Sequence, residues 1–196
     1  MAKPQDERTL VLVKPDGVIR GLIGETILRF EKRGLKIIAL KMVWPTSEHI
    51  DQHYPSHNEW FSNVGSRTSE FFKNKNIDVK EHFGTENAVE IGKQVKDWLL
   101  DYMTVGPVVA MVIEGMHAIT TVRKLVGHTY PIEALPGTIR GDFSVDTPSA
   151  ANVEKRVVKN IVHASGNEDE AMHEIEHWFS PEEIHHYKRA DEHIMF

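Results

Sequence analysis

Residues 9–21 read Thr-Leu-Val-Leu-Val-Lys-Pro-Asp-Gly-Val-Ile-Arg-Gly, and the way this stretch divides decides the fold. Thr9 to Val13 is a short apolar, β-rich run, and Lys14-Pro15-Asp16-Gly17 interrupts it. The run reads as a buried strand, and the interruption as a turn. Beyond it, Ile23, Ile27, Leu28 and Phe30 recur at helical spacing up to Arg33, with Gly34 placed for a C-terminal cap. Leu35 to Val43 reads as a second strand, and Pro45-Thr46-Ser47-Glu48 as the start of a helix reaching Tyr54. Ala88 to Met103 is a further helix, Val108 to Glu114 a near-continuous apolar strand, and Ala118 to Val126 a helix closed by Gly127. Asn160 to His163 is a short strand candidate. Ser165-Gly-Asn-Glu168 has capping-box spacing and opens a helix through Trp178, and Ser180-Pro181-Glu182-Glu183 starts a last helical turn. Few short strands interleaved with helices point to an α+β or α/β sandwich on a four-stranded sheet.

The rest of the chain bounds what such a domain can be. Its 196 residues fit one domain, and 40% hydrophobic residues are enough to bury a core. The stretch 55–85 is polar and weakly periodic. It is expected to be an insertion, since about thirty residues cannot build an independent core without staples. A smaller insertion is expected at 144–159. Lys plus Arg number 23 against 29 Asp plus Glu, a formal charge of -6, which argues against nucleic acid held by bulk charge. Anionic small ligands stay open, because a few placed cations suffice for them. The absence of cysteine excludes disulfide scaffolds, Cys-zinc sites and thiol catalysis, and it fits a reducing, cytoplasmic setting. Met1 to Arg8 has no apolar signal region, and no apolar run is long enough for a membrane span.

Common phosphate-binding glycine motifs are absent. His173-Glu-Ile-Glu-His177 satisfies the H-E-x-x-H zinc peptidase spacing, with Glu192 as a distant third ligand. In a chain with 12 histidines a solvated helix face is the preferred reading. His49, His53 and His57 recur every four residues, but Pro55 interrupts any helix through them, so they are expected at the surface. Lys14 beside a turn, Arg123, Thr129 and Arg140 around an irregular segment, and Asn160 with His163 on one strand are each unremarkable alone.

Together those residues carry a resemblance. Lys14-Pro15-Asp16-Gly17-Val18 with Arg20-Gly21, Gly106-Pro107-Val108-Val109-Ala110-Met111, Pro136-Gly137-Thr138-Ile139-Arg140-Gly141-Asp142-Phe143 and Asn160-Ile161-Val162-His163-Ala164-Ser165 occur in that order. Glu174-Ile175 and Trp178-Phe179-Ser180-Pro181-Glu182-Glu183 continue it. The chain resembles the nucleoside diphosphate kinases over nearly its whole length. The resemblance implies a ferredoxin-like α/β sandwich, with helices covering a four-stranded antiparallel sheet, working as a homo-oligomer built from dimers into tetramers or hexamers. It implies ping-pong transfer of a γ-phosphate between nucleoside di- and triphosphates, with His163 as the phosphorylated nucleophile. Glu174 is then the partner of the other ring nitrogen and Tyr54 the tyrosine nearby. Lys14, Arg123, Thr129 and Arg140 are implied at the phosphates, Asn160 and Lys14 at the ribose, and Trp60 or Phe61 as the base-stacking ring, Trp60 being favoured. Mg²⁺ is implied as held by nucleotide phosphates and water, with no protein cage, and neither nucleic acid nor membrane is expected as a partner. Glu174 falls on a family position, which leaves His173 and His177 incidental.

The family's His-Gly-Ser-Asp is His163-Ala164-Ser165-Gly166 here. Ala164 requires a negative φ, and the helix-start contact of the absent Asp falls to Ser165 or Asn167. These changes and the 55–85 insertion motivate a second expectation, a nucleotide-binding regulatory relative with weak transfer.

Overall fold

A computed structural model describes residues 6–195. The elements are β1 (Glu7–Val13), α1 (Pro15–Ile19), α2 (Ile23–Lys32), β2 (Lys36–Val43), α3 (Ser47–His53), α4 (Asn58–Asn74), α5 (Val79–Phe83) and α6 (Ala88–Thr104). After these come β3 (Val108–Gly115), α7 (Ala118–Val126), α8 (Ile139–Phe143), α9 (Pro148–Val153), β4 (Val162–Ala164), α10 (Glu168–Trp178) and α11 (Glu192–Met195). They form two compact units.

The first unit takes the chain up to Trp44, Gly106–Asp146, and Lys159 onward. Its four strands make an antiparallel sheet in the order β2-β3-β1-β4, the ferredoxin-like arrangement. Leu10 to Val13 of β1 and all of β3 are buried, which is why both read as continuous apolar runs rather than alternating ones. Val11, Val13, Val109, Met111 and Ile113 share a core with Phe30 of α2 and with Val122 and Val126 of α7. Helix α2 ends as its sequence suggests. Gly34 has φ 85°, its N–H bonds Glu31 O, and the Leu35 N–H bonds Phe30 O, closing a Schellman turn over the buried pair Phe30 and Leu35.

The second unit takes Pro45–Val105 and Thr147–Val158, so both expected insertions contribute to it. Residues 55–85 are more ordered than their polarity suggests, because α4 and α5 occupy most of them. Phe61, Gly65 and Phe72 face inward on α4, and two glycines bring α4 and α6 into backbone contact. A Cβ on Gly65 would meet Ala88 O at 1.8 Å, and one on Gly92 would meet Phe61 O at 2.1 Å. Phe72, Val79, Phe83 and Ile91 form this unit's own core with Trp98.

Three local expectations are corrected. His53 is buried, its ring set edge-on to Tyr54, because α3 packs inward there; His57 is exposed as expected and caps α4 by accepting the Trp60 N–H, and His49 is half-buried. Helix α10 starts at Glu168 with Asn167, not Ser165, as its cap, because Asn167 Oδ1 accepts the Glu170 N–H. The last strand begins at Val162 rather than Asn160, for a reason that belongs to the site.

Candidate active site

The site of the first unit is built where the end of β1 meets the start of β4. Ile161 has φ 69°, a value that a β-branched residue adopts only under constraint. The Val162 N–H bonds Asn160 O at 2.7 Å, so residues 160–162 form a tight three-residue turn in place of strand. The Lys14 N–H bonds Ile161 O at 2.7 Å, and Asp16 Oδ2 accepts the Ile161 N–H at 3.1 Å. Gly17 leaves the room, since a Cβ there would lie 2.9 Å from Ile161 Cγ2. Three residues of the Lys-Pro-Asp-Gly block are thus shaped around a turn that lies far along the chain.

That turn delivers two side chains. Lys14 Nζ donates to Asn160 Oδ1 at 2.8 Å, and Asn160 Nδ2 donates to Thr129 O at 2.9 Å. His163 stands opposite Leu12 on β4, with Nε2 2.8 Å from Glu174 Oε1. Glu174 is buried on α10, and its other oxygen accepts the Ser165 hydroxyl at 2.6 Å, while Ser165 Oγ itself accepts the Leu10 N–H at 3.1 Å. A carboxylate that accepts from Nε2–H leaves the imidazole lone pair on Nδ1. Ser165, read from sequence as a helix cap, is instead the group that fixes the carboxylate. Asp16, which the sequence marks only as part of a turn, holds the Ile161 N–H.

Arg140 is buried and donates to three backbone carbonyls, Gly127 at 2.9 Å, Asn160 at 3.2 Å and Val162 at 2.5 Å. Its fork therefore clamps both sides of the Ile161 turn. Burial, then the neighbouring Arg140 charge, pushes the Lys14 ammonium down to about 7, with Asp16 opposing them. Arg123 and Thr129 are exposed. Ala164 lies in extended strand, as its position requires, and the Gly166 N–H is taken by Glu170 Oε2 at 2.7 Å, so Glu170 serves the loop where the family's Asp is missing. Lys14, Arg123, Thr129, Arg140, Asn160, His163 and Glu174 all belong to the first unit.

Tyr54, Trp60 and Phe61 belong to the second. Phe61 is buried with its backbone against Gly92, whereas Trp60 is half-buried at the first turn of α4 with its ring 6.5 Å from that of Tyr54.

The H-E-x-x-H spacing does not make a peptidase centre. His173 is exposed, and Glu174 turns inward to His163 and Ser165 rather than sitting beside a metal as a base.

The family model "Nucleoside diphosphate kinase" matches residues 7–72 and 68–184. A nucleoside diphosphate kinase of Pyrobaculum aerophilum is 51% identical over 178 residues, covering 91% of this chain and 97% of the relative. The chain belongs to the nucleoside diphosphate kinase family. A solved NDP kinase from Pyrobaculum aerophilum superposes with a TM-score of 0.90 at 49% identity, covering 91% of this chain and 98% of that one. A transition-state mimic of the Borrelia burgdorferi nucleoside-diphosphate kinase, with bound vanadate and ADP, superposes with a TM-score of 0.78 at 37% identity, covering 97% and 96%. The chain is accordingly a nucleoside diphosphate kinase, a phosphotransferase acting on nucleoside di- and triphosphates.

Proposed function

We propose that His163 is the nucleophile of a two-step nucleoside diphosphate kinase reaction. Its Nδ1 lone pair attacks the γ-phosphorus of a nucleoside triphosphate. The bond from phosphorus to the β-phosphate oxygen breaks, the diphosphate leaves with that electron pair, and a phosphohistidine remains. A second nucleoside diphosphate then takes the group by attack of its terminal phosphate oxygen. The observation that carries this reading is the Ser165–Glu174–His163 chain of hydrogen bonds, at 2.6 and 2.8 Å, which orients the ring through Nε2. Glu174 also stabilises the positive charge that develops on the imidazole. Lys14, Arg140 and Arg123 neutralise phosphate charge, Thr129 adds a hydroxyl, and Asn160 with Lys14 meets the ribose. Tyr54 stands as the accessory tyrosine and Trp60 as the stacking ring, which the burial of Phe61 supports. Stacking accepts any base, so broad nucleotide use follows.

The donor set of the first unit suits Mg²⁺ that arrives with the nucleotide. It is cationic, with Lys14, Arg123 and Arg140, and Glu174 and Asp16 already accept protein donors. Bound in that way, held by nucleotide and water rather than by protein carboxylates, Mg²⁺ would supply charge neutralisation at the phosphates.

Homo-oligomerisation through dimers, to a tetramer or hexamer, is supported by the outer strand β2, which exposes Leu40 and Met42, with exposed Trp44 directly after its end. The whole chain acts as one catalytic domain with 55–85 and 144–159 inserted in it. A cytoplasmic setting is supported by the lack of cysteine, and no helix among the described residues is long and apolar enough to cross a membrane.

Incubation with γ-labelled ATP and Mg²⁺ tests the nucleophile. The expected label is acid-labile and alkali-stable, chases onto any added nucleoside diphosphate, and is absent from His163→Ala. A labelled His163→Ala protein overturns the assignment.

A further inference from the structure

Lys96 is an interior residue of α6 whose ammonium is buried in the second unit. Nζ lies 2.7 Å from Asp51 Oδ1 and donates to Asp51 O at 3.1 Å, to Tyr54 O at 3.3 Å and to Ser56 Oγ. The Asp51 and Tyr54 carbonyls lie at the C-terminal end of α3, where helical carbonyls lack intrahelical partners and the helix dipole is negative. A buried ammonium is tolerated only when oxygen atoms surround it, and here they come from one short turn. Lys96 thus caps α3 from a different helix. The same helix holds the other end of that turn, because Gly92 lets α6 touch the Phe61 backbone, and the Lys96 ammonium lies 6.0 Å from the Phe61 ring centroid. Tyr54 lies at the first anchor point, and the half-buried Trp60 lies between it and Phe61.

We infer that Lys96 is a positioning residue for nucleotide binding, holding the Tyr54–Trp60 turn in the one conformation that presents the stacking ring. The inference rests on the reading of Trp60 as the base-stacking residue. Lys96 reaches the backbone carbonyl of Tyr54 and has no hydrogen bond to a side chain assigned to phosphoryl transfer. Without its charge, the end of α3 loses its cap and the turn spreads over many conformations. The apparent affinity then falls by the fraction of molecules that keep the binding conformation. Chemistry at His163 is unchanged once nucleotide saturates, and the loss is shared by every base because stacking reads none of them.

The test compares full-length Lys96→Met, Asp51→Asn and Trp60→Ala in steady-state kinetics with ADP, GDP and CDP as acceptors, alongside hydrogen exchange of amides 54–60. For Lys96→Met, KM is expected to rise about tenfold for all three acceptors with kcat within about twofold, and amides 54–60 to exchange faster. Asp51→Asn is expected to give a smaller rise of the same kind. It carries the test if Lys96→Met fails to fold, since the Asp51 side chain is 54% exposed and its replacement buries nothing new. A raised KM in Trp60→Ala with unchanged KM and exchange in Lys96→Met and Asp51→Asn overturns the positioning role. An unchanged KM in Trp60→Ala overturns the stacking reading beneath it. A fall in kcat at constant KM in Lys96→Met also overturns the inference, because it places the residue in the chemical step.

Discussion

Gly92→Ala sets two physical effects against each other. Alanine is the better helix former, and in an exposed helix interior the change stabilises by about 1 kcal/mol. Gly92 is not exposed, and the added methyl would lie 2.1 Å from Phe61 O, 2.6 Å from Phe61 C and 2.7 Å from Phe61 Cα. Carbon and carbonyl oxygen need roughly 3.3 Å or more, so α4 and α6 must part by about 1 Å along their contact. The obstacle is backbone, so no side-chain rotation relieves it. A gap of that size forfeits a quarter to a half of each dispersion contact across it, for Phe61 and its neighbours alike. Overpacking of this kind costs about 3 kcal/mol, at the upper end of its usual range, and after the helix gain the net loss is about 2 kcal/mol. The assay is urea unfolding followed by hydrogen exchange of α4 and α6 amides, with Gly24→Ala as the control. Gly24 lies inside α2 with no atom within 4 Å of its would-be Cβ, so that variant should be neutral or gain up to about 1 kcal/mol. Gly92→Ala as stable as Gly24→Ala, with α4 amides equally protected, would refute the close helix crossing.

Ser165→Ala removes one donor from a buried carboxylate, and kcat should fall about tenfold, near the 1.5 kcal/mol of one charge-assisted hydrogen bond, with KM for nucleotide unchanged. Steady-state kinetics check this, and an unchanged kcat would remove Ser165 from the relay. Lys14, pushed down to about 7 in the nucleotide-free protein, should take up a proton at pH 8 when phosphates bind, an uptake visible by calorimetry in buffers of different ionisation enthalpy and absent from Lys14→Met. The sign for stability follows from the same shift. Between pH 7 and the ordinary lysine range the unfolded chain binds more protons, so the nucleotide-free fold gains stability as pH rises, and Lys14→Met loses that slope. At the C-terminus, the Arg189 N–H first and then Lys36 hold the Glu192 carboxyl below its usual range, so its contribution is present at neutral pH and lost on acidification through that lowered value. The protection factors of amides 187–194 should fall on acidification through that lowered value, and should already be smaller at neutral pH in Lys36→Met.

Much of the fold was legible because its signals are local. Apolar runs at β1 and β3, the Gly34 cap and the spacing of α2 and α7 each depend on a few neighbouring residues. What escaped was non-local. Residues 55–85 look polar because α4 presents only a narrow inward stripe, and the stripe's meaning depends on Gly92, which is distant in sequence. Ser165 fits a capping box on paper, yet its hydroxyl is claimed by Glu174 and Leu10, partners that only the folded chain supplies. His53 looked like surface because Pro55 follows it, but α3 ends before the proline and never needed to pass it.

The same contrast explains why Ile161 is not glycine. Positive φ costs an isoleucine about 1–3 kcal/mol, and glycine would remove that cost. Yet the Ile161 side chain is fully buried in the sheet core, and burying such a side chain is worth about 1.5–3 kcal/mol before any cavity cost. Packing and strain are therefore comparable, and the turn persists because other groups over-determine it. Arg140 binds the carbonyls on both sides, Asp16 the N–H, and the Lys14 N–H the carbonyl. Glycine takes its place one contact away, at Gly17, where the space for Ile161 is made. The Lys-Pro-Asp-Gly block and the Asn-Ile-Val-His block then constrain one another, and a change at Asp16 or Gly17 acts on the register of Asn160 with Lys14 and of His163 with Glu174 without touching either pair.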